Sequence, residues 1–291
     1  MTVPARPTPL FADIADVSRR LAETGYLPDT ATATAVFLAD RLPQPLLGEG
    51  PARGGPARLA RAVAQATGSG LVRLQCYEGV DEARALYEWN HAKQILRIQA
   101  GSGDWEATKT DVFSEEFLLQ RPLLTAIRRT EPTVLLIDET DKADIEIEGL
   151  LLEVLSDFAV TVPELGTLTA TRAPFVLLTS NATRELSEAL KRRCLYLHID
   201  FPTPELERRI LLSRVPELPE HFAEELVRII GVLRGMQLKK VPSIAETIDW
   251  GRTVLALGLD TIDDAVVAAT LGVVLKHQSD QQRATGELRL N

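Results

Sequence analysis

Cysteine is nearly absent from this chain: of 291 residues, only Cys76 and Cys194 carry a thiol. They lie far apart without metal-ligand spacing. That excludes a disulfide framework and a cysteine-built metal site, and fits the reduced thiols of a cytoplasmic protein. Long apolar runs are missing too. None approaches the roughly 20 residues a membrane helix needs, so no membrane span is expected. The start, Met1 to Pro9, lacks the apolar core of a signal peptide, and residues 1–9 are expected to be a disordered lead-in. Positive charge is short as well, with 32 lysines and arginines against 41 aspartates and glutamates, a net charge of −9. Broad nucleic-acid affinity comes from cations neutralising phosphates, and single-strand binders add a basic-aromatic stripe. This sequence has neither surplus, so no nucleic acid is expected as a partner. What remains is an ordinary globular composition, 45% hydrophobic and 25% charged. The length suffices for one large domain or two modest ones with a sizeable core.

Periodicity gives the coarse organisation. Residues 11–24 and 29–40 read as two short helices, broken at Gly25 and Pro28, with Asp29 or Thr30 as the second N-cap. Leu46-Leu47 forms a short strand leading into a glycine-rich loop. Arg58 to Thr67 then has helical spacing, with Leu59, Ala60, Val63 and Ala64 on one face. Leu71 to Leu74 reads as a second strand. The spacing predicts a helix over 80–99 with Leu86, Trp89, Ile95 and Leu96 available for burial, a polar loop over 100–112, and a helix over 114–130. Strands follow at 133–138, 174–181 and 194–199, with a helix over 143–158 and a hairpin over 160–171. Strands separated by helices imply an α/β fold with a mostly parallel sheet covered on both faces. After Phe201 the texture becomes helical. The expected division is an α/β domain over 10–201, an all-helical domain over 202–276 and a frayed tail over 277–291.

Two segments carry chemistry and disagree. Thr133 to Asp138 is an apolar strand ending in the carboxylates of Asp138 and Glu139. Such a pair can hold Mg²⁺ through water and orient an attacking water, or can serve as helix caps and surface ion pairs. Earlier, Gly50, Pro51, Ala52, Arg53, Gly54, Gly55, Pro56 and Ala57 stand where a phosphate-binding loop belongs. Glycines there let backbone N–H groups converge on phosphate oxygens at a helix N-terminus. The intact motif adds a lysine for the phosphates and a hydroxyl for Mg²⁺; here Pro56 and Ala57 replace them. A charge-assisted hydrogen bond contributes about 1.5–3 kcal/mol. Losing the lysine alone therefore weakens ATP by about 10- to 100-fold. Arg53 either supplies the missing charge or is a solvated loop cation. Asn181, at the end of the 174–181 strand, can touch a γ-phosphate or its water, or is a turn residue. Arg192 and Arg193 can face a neighbouring subunit as an arginine finger, or are solvated cations.

The order of these elements resembles that of AAA+ ATPases. The stretches Leu74 to Gly79, Ala85 to Asn90, Gln120 to Leu124, Leu151 to Asp157, Val162 to Gly166 and Pro242 to Trp250 resemble the MoxR family. Within that family they are similar to the branch associated with maturation of aerobic carbon-monoxide dehydrogenase and related molybdenum enzymes. The resemblance spans residues 10 to 275. It implies a Rossmann-like AAA+ P-loop domain, a helical lid, ATP with Mg²⁺, and a ring that is usually hexameric. It also implies a partner with a von Willebrand A-type domain and a client metalloenzyme remodelled or loaded with its cofactor. By position, Asp138 and Glu139 match Walker B, with Asp138 the metal ligand; Asn181 matches sensor 1, and Arg192 and Arg193 the arginine-finger region. Gly50 to Ala57 matches Walker A and departs from it at Pro56 and Ala57. No sensor-2 arginine stands near Pro242 to Ile244, with Lys239 and Lys240 as the nearest cations. Two functions follow: an ATPase-like remodelling protein with impaired ATP binding and hydrolysis, or a non-hydrolysing ring subunit that lends an arginine to a partner's site.

Overall fold

A computed structural model describes residues 8–50, 55–100, 111–259 and 261–288. Pro51, Ala52, Arg53 and Gly54, residues 1–7 of the expected lead-in and most of the 100–112 loop lie outside the described residues.

The five strands expected from sequence form one parallel sheet. They are β1 (Leu46–Glu49), β2 (Gly70–Gln75), β5 (Thr133–Asp138), β8 (Phe175–Ser180) and β9 (Leu195–His198), in the spatial order β2-β5-β8-β1-β9. All residues of β5 and β8 are buried, as central strands of a sheet covered on both faces must be. Their apolar runs therefore stop where burial stops, at Asp138 and Ser180. The register pairs Gln75 with Asp138 and Glu49 with Ser180. The carboxyl ends of β2, β5, β8 and β1 consequently finish on one edge. The chain leaves β1 towards β2 and later returns past β1 to β9, so the strand order reverses beside β1, where open α/β sheets bind ligands.

The Gly55–Thr67 helix follows β1 and buries Leu59, Ala60 and Val63, the face its spacing predicts. On the other side, Leu123, Leu124 and Ile127 of the Pro122–Arg128 helix and Ile147, Leu151 and Val154 of the Ile145–Asp157 helix belong to one core with β5 and β8. An antiparallel hairpin of β6 (Ala159–Val162) and β7 (Gly166–Thr169) lies where the sequence places one.

The segment between β2 and β5 differs from expectation. The helix expected over 114–130 is present only at Pro122–Arg128, and that over 80–99 is interrupted: a short Glu82–Ala85 helix leads into β3 (Tyr87–Trp89), which pairs antiparallel with β4 (Leu118–Gln120). The His91–Ala100 helix lies between them. Asn90 restarts the helix by accepting the Lys93 N–H at 3.0 Å, a cap that helical spacing alone hides. Leu86 is buried, but Ile95 and Leu96 are 55% and 65% exposed.

The second compact unit comprises Ile199 onwards together with Gly25–Leu27. It contains the helices Pro204–Arg214, Glu220–Gly235, Ile244–Ala256, Asp264–Val274 and Gln278–Glu287. Trp250 is fully buried in its core, and its indole N–H donates to Thr270 Oγ1 at 2.8 Å. Ser243 and Glu246 form a capping box that starts the third of these helices. The tail expected to fray is instead helical over Gln278–Glu287. Asp280 accepts the backbone N–H groups of Lys239 (3.0 Å) and Lys240 (3.2 Å), and Ala284 is buried. One buried alanine and one aspartate leave no apolar periodicity for sequence reading to find.

Candidate functional site

The sheet edge holds the carboxylate pair Asp138 and Glu139. Asp138 ends β5 and is 8% exposed. Its Oδ1 accepts the Thr179 hydroxyl at 2.6 Å. Its Oδ2 accepts both Nε (3.1 Å) and Nη2 (2.6 Å) of Arg73. Arg73 reaches it from β2, the neighbouring strand. The chain then turns sharply, with Glu139 in the left-handed region at φ 57° and ψ 47°. Such a conformation costs a non-glycine residue on the order of 1 kcal/mol. The Glu139 N–H donates to Thr179 Oγ1 at 2.8 Å, which fixes the turn. Thr179 thus accepts from one residue of the pair and donates to the other. The Glu139 carboxylate accepts Gln75 Nε2 at 2.9 Å and Lys142 Nζ at 2.7 Å.

A further carboxylate, which sequence reading missed, stands at the end of β1. Glu49 accepts Ser180 Oγ at 2.7 Å and the Tyr196 hydroxyl at 3.1 Å. Burial and then Glu49 itself push the Tyr196 phenol above its ordinary pKa. Beside Asp138 and Glu139, Cys76 is fully buried. Its thiol is pushed up to about 12 by burial and then by the charges of Asp138, Asp141 and Glu139, so it is inert. Cys194 is likewise pushed up to about 12 by burial.

Two buried acids position the other predicted residues. Asp141 accepts the Thr183 N–H (3.0 Å) and hydroxyl (2.5 Å). Burial pushes its carboxyl up, but the Thr183 hydroxyl and the Thr183 and Asn181 N–H groups outweigh it and hold it below the ordinary value. Asp141 thereby pins the turn that carries half-buried Asn181. Glu148, 1% exposed, accepts the Ser187 N–H at 2.9 Å and pairs with Arg184 at 2.5 Å. Its carboxyl too is lowered: burial raises it, and Ser187 and Arg184 prevail. Ser187 caps the Glu188–Arg193 helix, so Glu148 anchors the start of the element that ends in the two arginines. Lys191 pairs with Glu185 and Glu188. Arg192 and Arg193 are exposed and, among the described residues, make no ion pair.

Of the expected phosphate loop over residues 50–57 the described residues are Gly50, Gly55, Pro56 and Ala57. Pro56 is the second residue of its helix, where the missing N–H costs no helical hydrogen bond. It is buried, and its ring packs against β1: a Cβ on Gly48 would stand 2.8 Å from Pro56 Cβ. The pyrrolidine packs against the strand, and position 56 carries no cationic group for a phosphate. Ala57 offers no oxygen to a cation. Among the described residues, no group of three or more His, Cys, Asp or Glu is arranged to hold a metal ion.

No protein-family description matches the chain, and no curated protein does. Solved structures do. A point mutant of Thermotoga maritima RuvB aligns with a TM-score of 0.51 at 18% identity, covering 92% of this chain and 73% of that one. A second Thermotoga maritima RuvB mutant gives 0.49 at 17% identity, covering 92% and 72%. The Thermotoga maritima RuvB Holliday-junction branch-migration motor gives 0.47 at 18%, covering 88% and 68%. The first of these likenesses shows a shared fold, an α/β domain with a central parallel sheet followed by a helical C-terminal region.

Proposed function

We propose that this chain is an AAA+ ring subunit whose own phosphate site is impaired and which completes the site of a neighbouring protomer. One observation carries the reading: where the phosphate-binding lysine belongs, Pro56 is buried against Gly48. Removing the lysine takes away the strongest cationic contact with the phosphates, and the fold keeps its shape because proline suits a first helical turn. The other site elements persist. Asp141 and Glu148 hold Asn181 and the Arg192-Arg193 helix in place, and the two arginines are exposed and, among the described residues, make no ion pair. That combination suits a protomer that donates an arginine in trans, an interaction that enhances phosphoryl transfer by about 10³- to 10⁵-fold in the systems that use it.

The finer assignment rests on the MoxR-like stretches of sequence. It makes the assembly a ring, hexameric by the family's habit, that works with a von Willebrand A-domain partner in remodelling or cofactor loading of a client metalloenzyme in the cytoplasm. ATP and Mg²⁺ then belong chiefly to the neighbouring site. A nucleic-acid motor like the RuvB structures is disfavoured by the net charge of −9.

Calorimetry with Mg-ATP on the purified chain is expected to give weak binding and little turnover; low-micromolar affinity with steady hydrolysis refutes the reading. Mixing the chain with a homologue that retains the lysine is expected to raise turnover. Arg192→Ala/Arg193→Ala abolishes that gain if the arginines act across the interface. The paired change Pro56→Lys with Ala57→Thr is expected to improve ATP affinity by about 10-fold or more.

A further inference from the structure

The implied Mg²⁺ can be tested against the donors that would hold it. A hydrated Mg²⁺ needs near-octahedral oxygen coordination and usually takes one or two carboxylates, with the P-loop hydroxyl as an inner ligand. Position 57 is alanine, so the hydroxyl is gone. Asp138 gives one oxygen to the Thr179 hydroxyl and the other to two nitrogens of Arg73. Glu139 is ion-paired with Lys142 and bonded to Gln75. Each of the two carboxylates thus already holds a side-chain cation before any metal arrives. The planar guanidinium fork fits a carboxylate and reaches Asp138 through two nitrogens. The donor set present does not fit Mg²⁺.

We infer that the Arg73 guanidinium takes the place of the divalent cation at Asp138, closing the metal site from within the chain. This deepens the proposed function, because it concerns the same strand ends and accounts for a defect that restoring the P-loop lysine would not cure. Arg73 is a positioning residue here: it acts on Asp138 and touches no substrate. Its place is set by the fold. β2 pairs with β5 in register through Gln75 and Asp138, and Arg73 lies two residues before Gln75 on that edge strand.

Mn²⁺ without nucleotide is the probe, followed by electron paramagnetic resonance on the full chain. The wild type is expected to show no saturable site that Asp138→Asn removes. Arg73→Gln is expected to bind Mn²⁺ at least tenfold more tightly, and Arg73→Gln/Asp138→Asn to lose the gain. An Asp138-dependent site already present in the wild type overturns the inference, and so does the lack of any gain in Arg73→Gln. Thermal unfolding provides a second reading that survives misfolding of the Arg73 variant. Asp138→Asn should lower the midpoint by about 2 °C or more, because it removes the anion Arg73 depends on. A raised midpoint, the response of an open metal site relieved of carboxylate repulsion, overturns the inference. These readings involve no turnover. Mn²⁺ binding in a chain without ATPase activity therefore refutes the Arg73 assignment alone, whereas arginine donation in the mixed ring stands or falls separately.

Discussion

At the scale of single residues, Thr179 joins the most partners at the sheet edge. Its hydroxyl accepts the Glu139 N–H and donates to Asp138. Thr179→Val keeps the shape and removes both bonds, leaving a buried carboxylate oxygen and an N–H in a strained turn without partners. A loss of about 1–3 kcal/mol is expected in urea unfolding. The acid limb of stability belongs to this scale as well. Glu148 and Asp141 are both lowered from ordinary values of 4.5 and 3.8. A lowered carboxyl binds fewer protons in the folded state than in the unfolded state. Its contribution is therefore complete above those ordinary values and is lost as the pH falls through them and then through the folded value. Urea unfolding of Glu148→Gln between pH 7 and pH 3 should show a lower plateau and a shallower acid decline than the wild type. The residues at the sheet edge were partly legible in sequence. Asp138, Glu139 and Asn181 stand out because a polar group ends an apolar run. Arg73 and Glu49 do not, because their meaning depends on which strands become neighbours, and only the sheet order supplies that.

At the scale of elements, β1 and the helix after it are fitted through Gly48 and Pro56. Gly48→Ala would bring its Cβ to 2.8 Å from Pro56 Cβ and force the helix start outward. Overpacking of this kind costs about 1–3 kcal/mol. In Gly48→Ala/Pro56→Gly, which removes the Cβ as well as the ring, the clash is relieved, and a double-mutant cycle by thermal unfolding should report an interaction of about 0.5 kcal/mol or more. Element type was readable where burial was complete. Strands β5 and β8 are continuous apolar runs because both their faces are covered. The β3–β4 pair was not readable, because three-residue strands are too short to show alternation and Leu86, Trp89, Ile95 and Leu96 mimic a helical stripe. Half of that stripe is in fact exposed.

At the scale of the whole molecule, the chain forms two units, each with its own buried cluster. The texture changes after Phe201, and the second unit comprises Gly25–Leu27 together with the residues from Ile199 onwards. The last helix escaped notice because its ties are polar. Asp280→Ala leaves two backbone N–H groups without their acceptor, and the transition reported by Trp250 fluorescence should move to lower temperature. The pairs Arg73–Asp138 and Lys142–Glu139 have a consequence at this scale too. A protomer that carries its own counter-ions has the same electrostatic state in starved and well-fed cells. In a ring whose other members cycle with adenylate supply, it would be the stationary member, a reference mark against which the order of firing around the circle is set.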